Sequence, residues 1–353
     1  MNTKRLVLFY FSGTGNAKRV CNWIAMEAQR KGLSVQVFDI EKCKPDSDYL
    51  LSSNTIVGFC TPTHGFNMPP IMLKFIWGFK PSKGTKVFII NTRAGMKLWK
   101  LFLPGLSGVA QLLPAFILML KGFKIIGLQP MDMPSNWISL HPGIRTKIVE
   151  SIFVRCKTKS ELFIGKIINN KKVYKGLWSL PIDLALAPIA FLYYFMGRFV
   201  LAKTFVASYK CTGCQLCEKS CPVQAISNSD KNPYWAFTCE SCMRCLNNCP
   251  EKAIETPHTF VFAVWIFIGV IMEYAGMYLL VTKAGLKPET GLYQLLYNII
   301  SVVVVFGLIY VTYRLMHYLL RFKWFCYLIT FTSLTRLPFW RRYKPRKAKI
   351  AEP

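Results

Sequence analysis

The sequence predicts an open, doubly wound α/β sheet, followed by a small cysteine-rich α+β domain and a C-terminal α-helical transmembrane hairpin. Three observations carry this prediction. Short apolar runs alternate with helix-length segments over residues 1–155, eight of the 13 cysteines lie within residues 211–249, and two long apolar stretches follow near the C-terminus.

The composition separates this chain from ordinary soluble proteins. Lys and Arg total 45 against 17 Asp and Glu, a formal net charge of +28, yet only 18 % of the residues are charged and 52 % are hydrophobic. A soluble domain carries about 25 % charged residues, so part of this chain is expected to lie in lipid. The positive excess indicates an anionic partner: nucleic acid, acidic phospholipid or an acidic redox protein.

The first 155 residues carry the pattern of a parallel sheet. Residues 5–11 form a nearly all-apolar run, which is typical of a strand buried on both faces. A helix is predicted over Asn16–Lys31, where apolar residues recur every three or four positions and Gly32 follows as a stop signal. Further strands are predicted at Ser34–Ile40, Thr55–Cys60, Lys86–Asn91 and Lys124–Leu128. Strands alternating with helices favour a doubly wound α/β domain over residues 1–155.

Residues 156–207 are predicted to be a basic connector followed by an apolar segment. The apolar part, Leu177–Gly197, contains one charge, Asp183, and two prolines. A crossing of the membrane here would place the sheet and the cysteines ~30 Å apart on opposite faces. We therefore expect a non-spanning segment that lies against the membrane or the first domain.

Two cysteine runs within residues 208–256 share the spacing C-x2-C-x2-C-x3-C, and a proline follows each run. The runs are Cys211, Cys214, Cys217 and Cys221, and then Cys239, Cys242, Cys245 and Cys249, at an offset of 28. In this pattern three thiolates of a run bind one [4Fe–4S] cluster, and the fourth binds the other cluster. The predicted ligand sets are Cys211, Cys214, Cys217 and Cys249 for one cluster, and Cys239, Cys242, Cys245 and Cys221 for the other. The alternative, a pair of structural zinc sites, uses widely separated pairs of cysteines.

These residues resemble the bacterial two-cluster ferredoxins over about 45 positions, and every ligand position is matched. The resemblance implies a small α+β domain that holds two [4Fe–4S] clusters.

A glycine-rich loop lies between the first strand and the first helix. Its residues are Ser12, Gly13, Thr14, Gly15 and Asn16. Glycines let the backbone wrap an oxyanion, and the helix N-terminus offers free amides and a positive dipole end. The loop lacks the spacing of the dinucleotide fingerprint and the Gly-Lys-Ser/Thr of a P-loop.

The loop resembles the phosphate loop of flavodoxins, whose fold binds FMN beside strands one and three. The resemblance implies that two further loops contact the flavin, through Thr63, His64, Gly65 and Phe66 in one and through Thr92 and Arg93 in the other. One position departs from the pattern, because Ala17 stands where flavodoxins usually have Ser or Thr; Lys18 is a partial substitute. The alternatives are a scaffold domain without cofactor, packing roles for His64 and Phe66, and a solvated Arg93.

Two apolar stretches, Thr259–Thr282 and Gly291–Tyr313, each exceed the ~20 residues that cross a hydrocarbon core. A buried hairpin in a soluble domain is the alternative. Two crossings return the chain to its starting side, and the positive-inside rule places the redox domains and the basic end in the cytoplasm. Residues 314–353 are predicted to form an interfacial helix and a basic tail that binds anionic lipids. Within the hairpin, Glu273 is expected to contact Asn298.

Residues 1–254 together resemble the fused flavodoxin–ferredoxin proteins of anaerobes. The resemblance implies a membrane-anchored electron-transfer protein that passes electrons between two [4Fe–4S] clusters and an FMN, at the cytoplasmic side of the inner membrane. Its expected partners are anionic lipids and an acidic soluble redox protein. Alternatives are a flavin-dependent reductase of a lipophilic, quinone-like substrate and a membrane redox sensor. Nucleic acid is not expected, because no recognition motif accompanies the charge.

Overall fold

The N-terminal domain is built on a parallel sheet. The computed structural model describes residues 5–47, 49, 54–229, 232–278 and 291–340. The parallel strands are β1 (Arg5–Tyr10), β2 (Ser34–Asp39), β3 (Thr55–Pro62), β4 (Lys86–Leu98) and β6 (Lys124–Pro134). Their order across the sheet is β2-β1-β3-β4-β6, and the short β5 (Leu101–Leu103) pairs antiparallel with the end of β4. This order is the flavodoxin-like doubly wound topology, as the sequence predicts.

Helices cover both faces of this sheet. One face carries α1 (Asn16–Arg30) and α4 (Thr146–Ile168), and the other carries α2 (Pro70–Gly78) and α3 (Leu112–Leu120). Apolar side chains of the strands point to both faces of the sheet. The sheet is therefore buried between two separate hydrophobic cores.

The predicted domain boundary at residue 155 is wrong, since it falls inside α4. One side of this helix is core: Phe153 is fully buried and meets Trp23 of α1 edge to face, with 6.1 Å between ring centroids. Four of the basic residues assigned to a connector, Arg155, Lys157, Lys159 and Lys166, belong to the less buried side of the same helix. The α/β domain therefore extends to Ile168. β3, β4 and β6 also run further than predicted, because strand pairing continues through polar residues such as Asn91 and Thr92.

The apolar segment after this domain is a chain of short helical pieces. It comprises a 3₁₀ turn (Lys175–Ser179), α5 (Leu180–Ala185), α6 (Ala187–Leu192), a π-helical turn (Tyr193–Gly197) and α7 (Arg198–Ala202). The two halves are bent by 78° at the break after α5, a shape that a broken membrane span also has. Asp183 is buried and accepts hydrogen bonds from the Gly108 amide (2.8 Å) and the Ser179 hydroxyl (2.7 Å). Asp183 thus fastens α5 to the α/β domain.

The cysteine-rich domain consists of short elements around the two cysteine runs. They are β7 (Val206–Ala207), α8 (Leu216–Lys219), β8 (Ile226–Ser229), β9 (Asn232–Trp235), α9 (Arg244–Asn248) and β10 (Ile254–Glu255). β8 pairs antiparallel with β9, and β7 pairs antiparallel with β10. This arrangement is a ferredoxin-type α+β domain.

Two long apolar helices follow, α10 (His258–Tyr278) and α11 (Gly291–Leu319), and both are long and apolar enough to cross a membrane. The second continues six residues beyond its predicted end, because its last turns pack on the cysteine-rich domain through Tyr313 and Met316. The amphipathic α12 (Lys323–Phe331) and a 3₁₀ turn (Leu334–Arg336) complete the described chain. The predicted outer loop at residues 283–290, the tail at 341–353 and the side chain of Glu273 lie outside the described residues.

The placement of α4 leads to a stability prediction. Phe153→Ala should lower the free energy of unfolding of the α/β domain by about 3–5 kcal/mol, since it empties a fully buried site. The measurement is the denaturant midpoint of the purified chain in detergent. Val154→Ala is the control, because Val154 is 64 % exposed and its loss should stay within about 0.5 kcal/mol. Equal effects of the two changes would contradict a packed α4.

Candidate functional site

A cavity of about 1120 Å³ lies where β1, β3, β4 and β6 end. Ligands of doubly wound folds bind at this edge, where the strand order reverses. The cavity lining includes ten of the 11 residues predicted to bind a cofactor, namely Ser12, Gly13, Thr14, Asn16, Thr63, His64, Gly65, Phe66, Thr92 and Arg93. The eleventh, Gly15, precedes α1 with a φ of 102°, a left-handed conformation that favours glycine.

Hydrogen bonds within the glycine-rich loop and to the loop after β6 fix its conformation. The Ser12 hydroxyl accepts from the Gly15 amide (3.0 Å), and the Thr14 hydroxyl accepts from the Asn136 side chain (2.7 Å). Asn16 donates to the Pro134 carbonyl (2.7 Å). Among the described residues no side chain caps α1, so the positive end of its dipole faces the loop and favours an anion there.

Aromatic rings form one wall of the cavity. His64 lies 5.6 Å from Trp137, and Trp137 lies 5.7 Å from Tyr193, measured between ring centroids. Tyr193 covers Gly65 so closely that a Cβ there would come within 2.1 Å of the ring. Burial lowers the pKa of His64 to about 3, so its imidazole is neutral at physiological pH. Its Nδ1 finds no hydrogen-bond partner among the described residues. His64 is therefore a buried, neutral polar group facing a ligand-sized space.

Arg93 is held by an ion pair rather than by solvent. Its Nε lies 2.7 Å from Asp132, and its Nη1 donates to the Ser107 hydroxyl (3.1 Å). Lys159 also approaches Asp132, at 3.3 Å. The solvated arginine that was the alternative for this position is thus excluded, since its side chain is only 9 % exposed.

The residues present fit an FMN. The loop amides match a phosphate, the aromatic wall matches a flat ring, and the cavity is large enough for both. Ala17 is fully buried and offers no hydroxyl to the phosphate. Lys18 is exposed and is not part of the lining, so its predicted role as a partial substitute has no support. Phosphate binding by this chain would rest on backbone amides, Ser12 and Thr14.

The cysteines form two groups, each with one member from the other run. One small pocket is lined by Cys211, Cys214, Cys217 and Cys249. Burial, together with nearby Cys211 and Cys249, raises the pKa of Cys217 to about 11. Burial, together with nearby Cys242 and Cys221, raises the pKa of Cys239 to about 12. The fourth cysteine of each run thus lies beside the opposite run, as the predicted exchange requires.

Such thiols need a cation to become thiolates. At neutral pH the raised pKa values of Cys217 and Cys239 keep both groups protonated when they are bare. Iron ions supply the missing positive charge, and sulfur is the donor that iron–sulfur clusters use. Backbone amides of Ala225 and Ala253 donate to Cys221 and Cys249, each at 3.3 Å, and these contacts are 28 positions apart. The donor set therefore fits iron–sulfur ligation, in agreement with the chemistry of the two cysteine runs.

The backbone repeats with the same offset as the sequence. Residues with a left-handed backbone conformation (positive φ) recur in pairs 28 positions apart. The pairs are Gly213 and Ser241, Gln215 and Met243, and Gln224 and Lys252. Residues other than glycine rarely adopt this conformation, so its repetition shows that both runs wrap their space with one loop geometry.

The second cysteine run lies directly against the glycine-rich loop. Cys242 lines the large cavity, and a Cβ on Gly13 would come within 2.4 Å of the Cys242 carbonyl oxygen. Arg244 clamps the contact: it donates to the carbonyls of Ser12 (3.0 Å) and Gly13 (3.2 Å) and pairs with the Glu41 carboxylate. Both candidate cofactor sites therefore share one wall.

Sequence reasoning missed four groups that build this site: Trp137, Tyr193, Arg244 and the start of α10. An aromatic residue in the loop after β6 was a usable signal for Trp137, because that loop ends at the same sheet edge. No local signal marks Tyr193 or Arg244, since their roles depend on contacts with distant parts of the chain.

A family model described as a 4Fe-4S dicluster domain matches residues 210–254. A comparison with curated proteins found no match.

Solved structures similar to this chain include flavodoxins. A flavodoxin from the domain Archaea is 18 % identical over 46 % of this chain and 98 % of its own, with a TM-score of 0.32. The two-electron reduced flavodoxin of Megasphaera elsdenii is 19 % identical over 43 % and 98 %, with a TM-score of 0.30. Rubredoxin oxygen:oxidoreductase from Desulfovibrio gigas is 18 % identical over 48 % and 37 %, with a TM-score of 0.28. The strand order, rather than these values, carries the fold assignment. A flavodoxin-like domain joined to a 4Fe-4S domain supports a redox role in electron transfer.

The grouping of cysteines leads to a spectroscopic prediction. Cys249→Ala should remove the cluster of the first run, so the EPR signal left in the reduced protein should match that of Cys214→Ser. Cys221→Ala is the mirror-image control, and its remaining signal should match that of Cys242→Ser. A match between Cys249→Ala and Cys242→Ser would show that each run holds its own cluster.

Proposed function

We propose that this protein is a membrane-anchored carrier that passes electrons between two [4Fe–4S] clusters and an FMN. When bound, FMN takes up two electrons and releases them singly, whereas each cluster carries one. The pairing joins one-electron to two-electron chemistry within a single chain.

The shared wall between Cys242 and Gly13 is the observation that carries this proposal. A cluster ligand and a phosphate-loop residue are in backbone contact, so the nearer cluster would lie beside the flavin pocket. Arg244 and Glu41 keep the two modules in this register. Electrons would then cross a fixed, short gap without a diffusional encounter.

A location at the membrane is compatible with this proposed function. In the proposal, α10 and α11 are two crossings that leave the redox domains on the cytoplasmic side of the inner membrane. The positive excess, +28 for the whole chain, suits anionic lipid headgroups and an acidic soluble donor or acceptor. The exposed Trp324, Tyr327 and Phe331 of α12 suit the lipid interface.

A second function, reduction of a lipophilic substrate, has support from the same cavity. An electron carrier needs only an accessible flavin edge. Here the cavity continues past the flavin loops to apolar residues of α10, including Val261, Phe262 and Trp265.

Removal of the clusters tests whether electrons reach the flavin through them. In Cys214→Ser/Cys242→Ser the FMN should stay bound, because Cys242 meets Gly13 through its carbonyl oxygen and Cβ, and serine keeps both atoms. Flavin reduction by a reduced low-potential ferredoxin should slow by more than about tenfold, since the donor loses the advantage of linked sites. Anaerobic stopped-flow absorbance measures this rate.

The control for that experiment is Cys43→Ser, which removes a cysteine outside both runs and should leave the rate unchanged. Equally fast flavin reduction with and without the clusters would show that the modules do not work in series.

Cysteine labelling tests the membrane topology. An impermeant maleimide added to intact cells should react with a cysteine placed at Gly285 and should not react with one placed at Ala351. The unaltered chain gives the background from native cysteines. The reverse pattern would contradict a cytoplasmic location of the redox domains.

A further inference from the structure

The large cavity has a second half that an FMN does not account for. The cavity measures about 1120 Å³, and its lining continues from the flavin loops to α10. Beyond the flavin loops its lining is largely apolar and comes from α6, α7, α10 and the residues next to them, with Thr204, Thr256 and Thr259 among its polar members. We call this part the membrane chamber; its residues are Ile189, Val200, Leu201, Val261, Phe262 and Trp265.

The chamber lies at the foot of a helix that is long and apolar enough to cross a membrane. Val261, Phe262 and Trp265 belong to the first two turns of α10, where this helix leaves the cysteine-rich domain. Phe262 is 68 % exposed although it borders the cavity, so the chamber wall also faces the surroundings of the helix. In a bilayer those surroundings are lipid. A lipophilic molecule therefore has a route into the chamber that avoids water.

The membrane chamber favours an uncharged ligand, because none of its six residues carries a charge. Among the described residues around this cavity, Arg93 carries the one permanent charge, and Asp132 already neutralises it. An anionic phospholipid headgroup would find no cation there to bind. An acyl chain alone would leave the polar groups of the lining unused.

One of those polar groups, the hydroxyl of Thr256, lacks a hydrogen-bond partner among the described residues. Thr256 is 3 % exposed and lines the cavity. A buried hydroxyl without a hydrogen-bond partner is unfavourable, so a ligand that accepts its hydrogen bond would remove this penalty. A carbonyl oxygen on a flat, neutral ring meets that requirement.

We infer that the membrane chamber binds a quinone with an alkyl or isoprenoid tail, which enters from the lipid and takes electrons at the flavin pocket. This inference rests on the proposed electron transfer, because Cys242 lines the same cavity. Reduction of the quinone to the quinol takes two electrons and two protons. A reduced low-potential carrier protein supplies the electrons one at a time, and water supplies the protons. Both carbonyl oxygens become hydroxyls.

Photolabelling of the oxidised protein tests the site without any turnover. The full chain, in nanodiscs of neutral phospholipid, is irradiated with an azido-benzoquinone that carries a ten-carbon tail. The label should appear on the peptide that contains residues 256–265, and unlabelled decyl-benzoquinone should compete for it. Labelling that avoids this peptide, or equal competition by decane, would overturn the proposal, since neither shows recognition of the ring.

Two matched valine substitutions locate the binding to the chamber. Val261→Trp fills the chamber and should weaken labelling by about tenfold or more, because over-packing leaves no room for the ring. Val270→Trp makes the same change on α10 outside the cavity, where Val270 is 46 % exposed, and should leave labelling unchanged. Equal labelling of the two variants would overturn the assignment.

A near-isosteric substitution guards against misfolding of the bulky variant. Thr256→Val removes the hydroxyl and keeps the shape, so the affinity for decyl-benzoquinone should fall about two- to tenfold. Iron and flavin contents should match those of the unaltered protein. Unchanged affinity would remove Thr256 from the site and overturn the proposed ring contact. Because binding is measured without a donor, failure here is distinct from failure of electron transfer between clusters and flavin.

Discussion

The arrangement of this protein depends on one close contact, between the backbones of Gly13 and Cys242. Any side chain at position 13 would collide with the Cys242 carbonyl, so glycine serves the loop twice: it shapes an anion cradle and admits the cysteine-rich domain. Arg244 reinforces the contact by donating to the carbonyls of Ser12 and Gly13. Its ion pair with Glu41 is largely buried, and such a pair is screened less than one at the surface. The two modules are therefore packed against each other through a buried polar contact.

The polypeptide between the modules completes the cavity that they share. Asp183 fastens α5 to the α/β domain, and Tyr193 covers Gly65 at the flavin loop. The chain then passes through α7, whose Leu201 borders the cavity. An apolar segment of this length resembles a membrane span when it is read alone. Part of its apolar surface lines the cavity, through Ile189 and Val200 among others, and Asp183 is buried against the α/β domain.

The C-terminal helices are joined to the redox domains by packing as well as by the chain. The last turns of α11 contact β9, where the Tyr313 hydroxyl accepts a hydrogen bond from the Trp235 amide (3.1 Å). The start of α10 contacts the loop after β6, where His258 donates through Nε2 to the Ser139 carbonyl (2.7 Å). Trp340 returns to the same loop and donates to the Ile138 carbonyl. The candidate cofactor sites are consequently held in a fixed position relative to α10 and α11.

The sequence alone determined the strand pattern, the two cysteine runs, the glycine-rich loop and the two long apolar helices, because each depends on residues close together in the chain. Periodicity fixes the strands, and spacing along one loop fixes which sulfurs can meet one cluster. Only the tertiary structure decided the extent of α4, the ion pair of Arg93 and the junction of Gly13 with Cys242. These features join residues up to 232 positions apart, as in the Arg244–Ser12 hydrogen bond, and no local pattern records such a contact. Packing of separate elements joined the predicted flavin loops to Cys242 and α10 in one cavity, and no local pattern marks that junction.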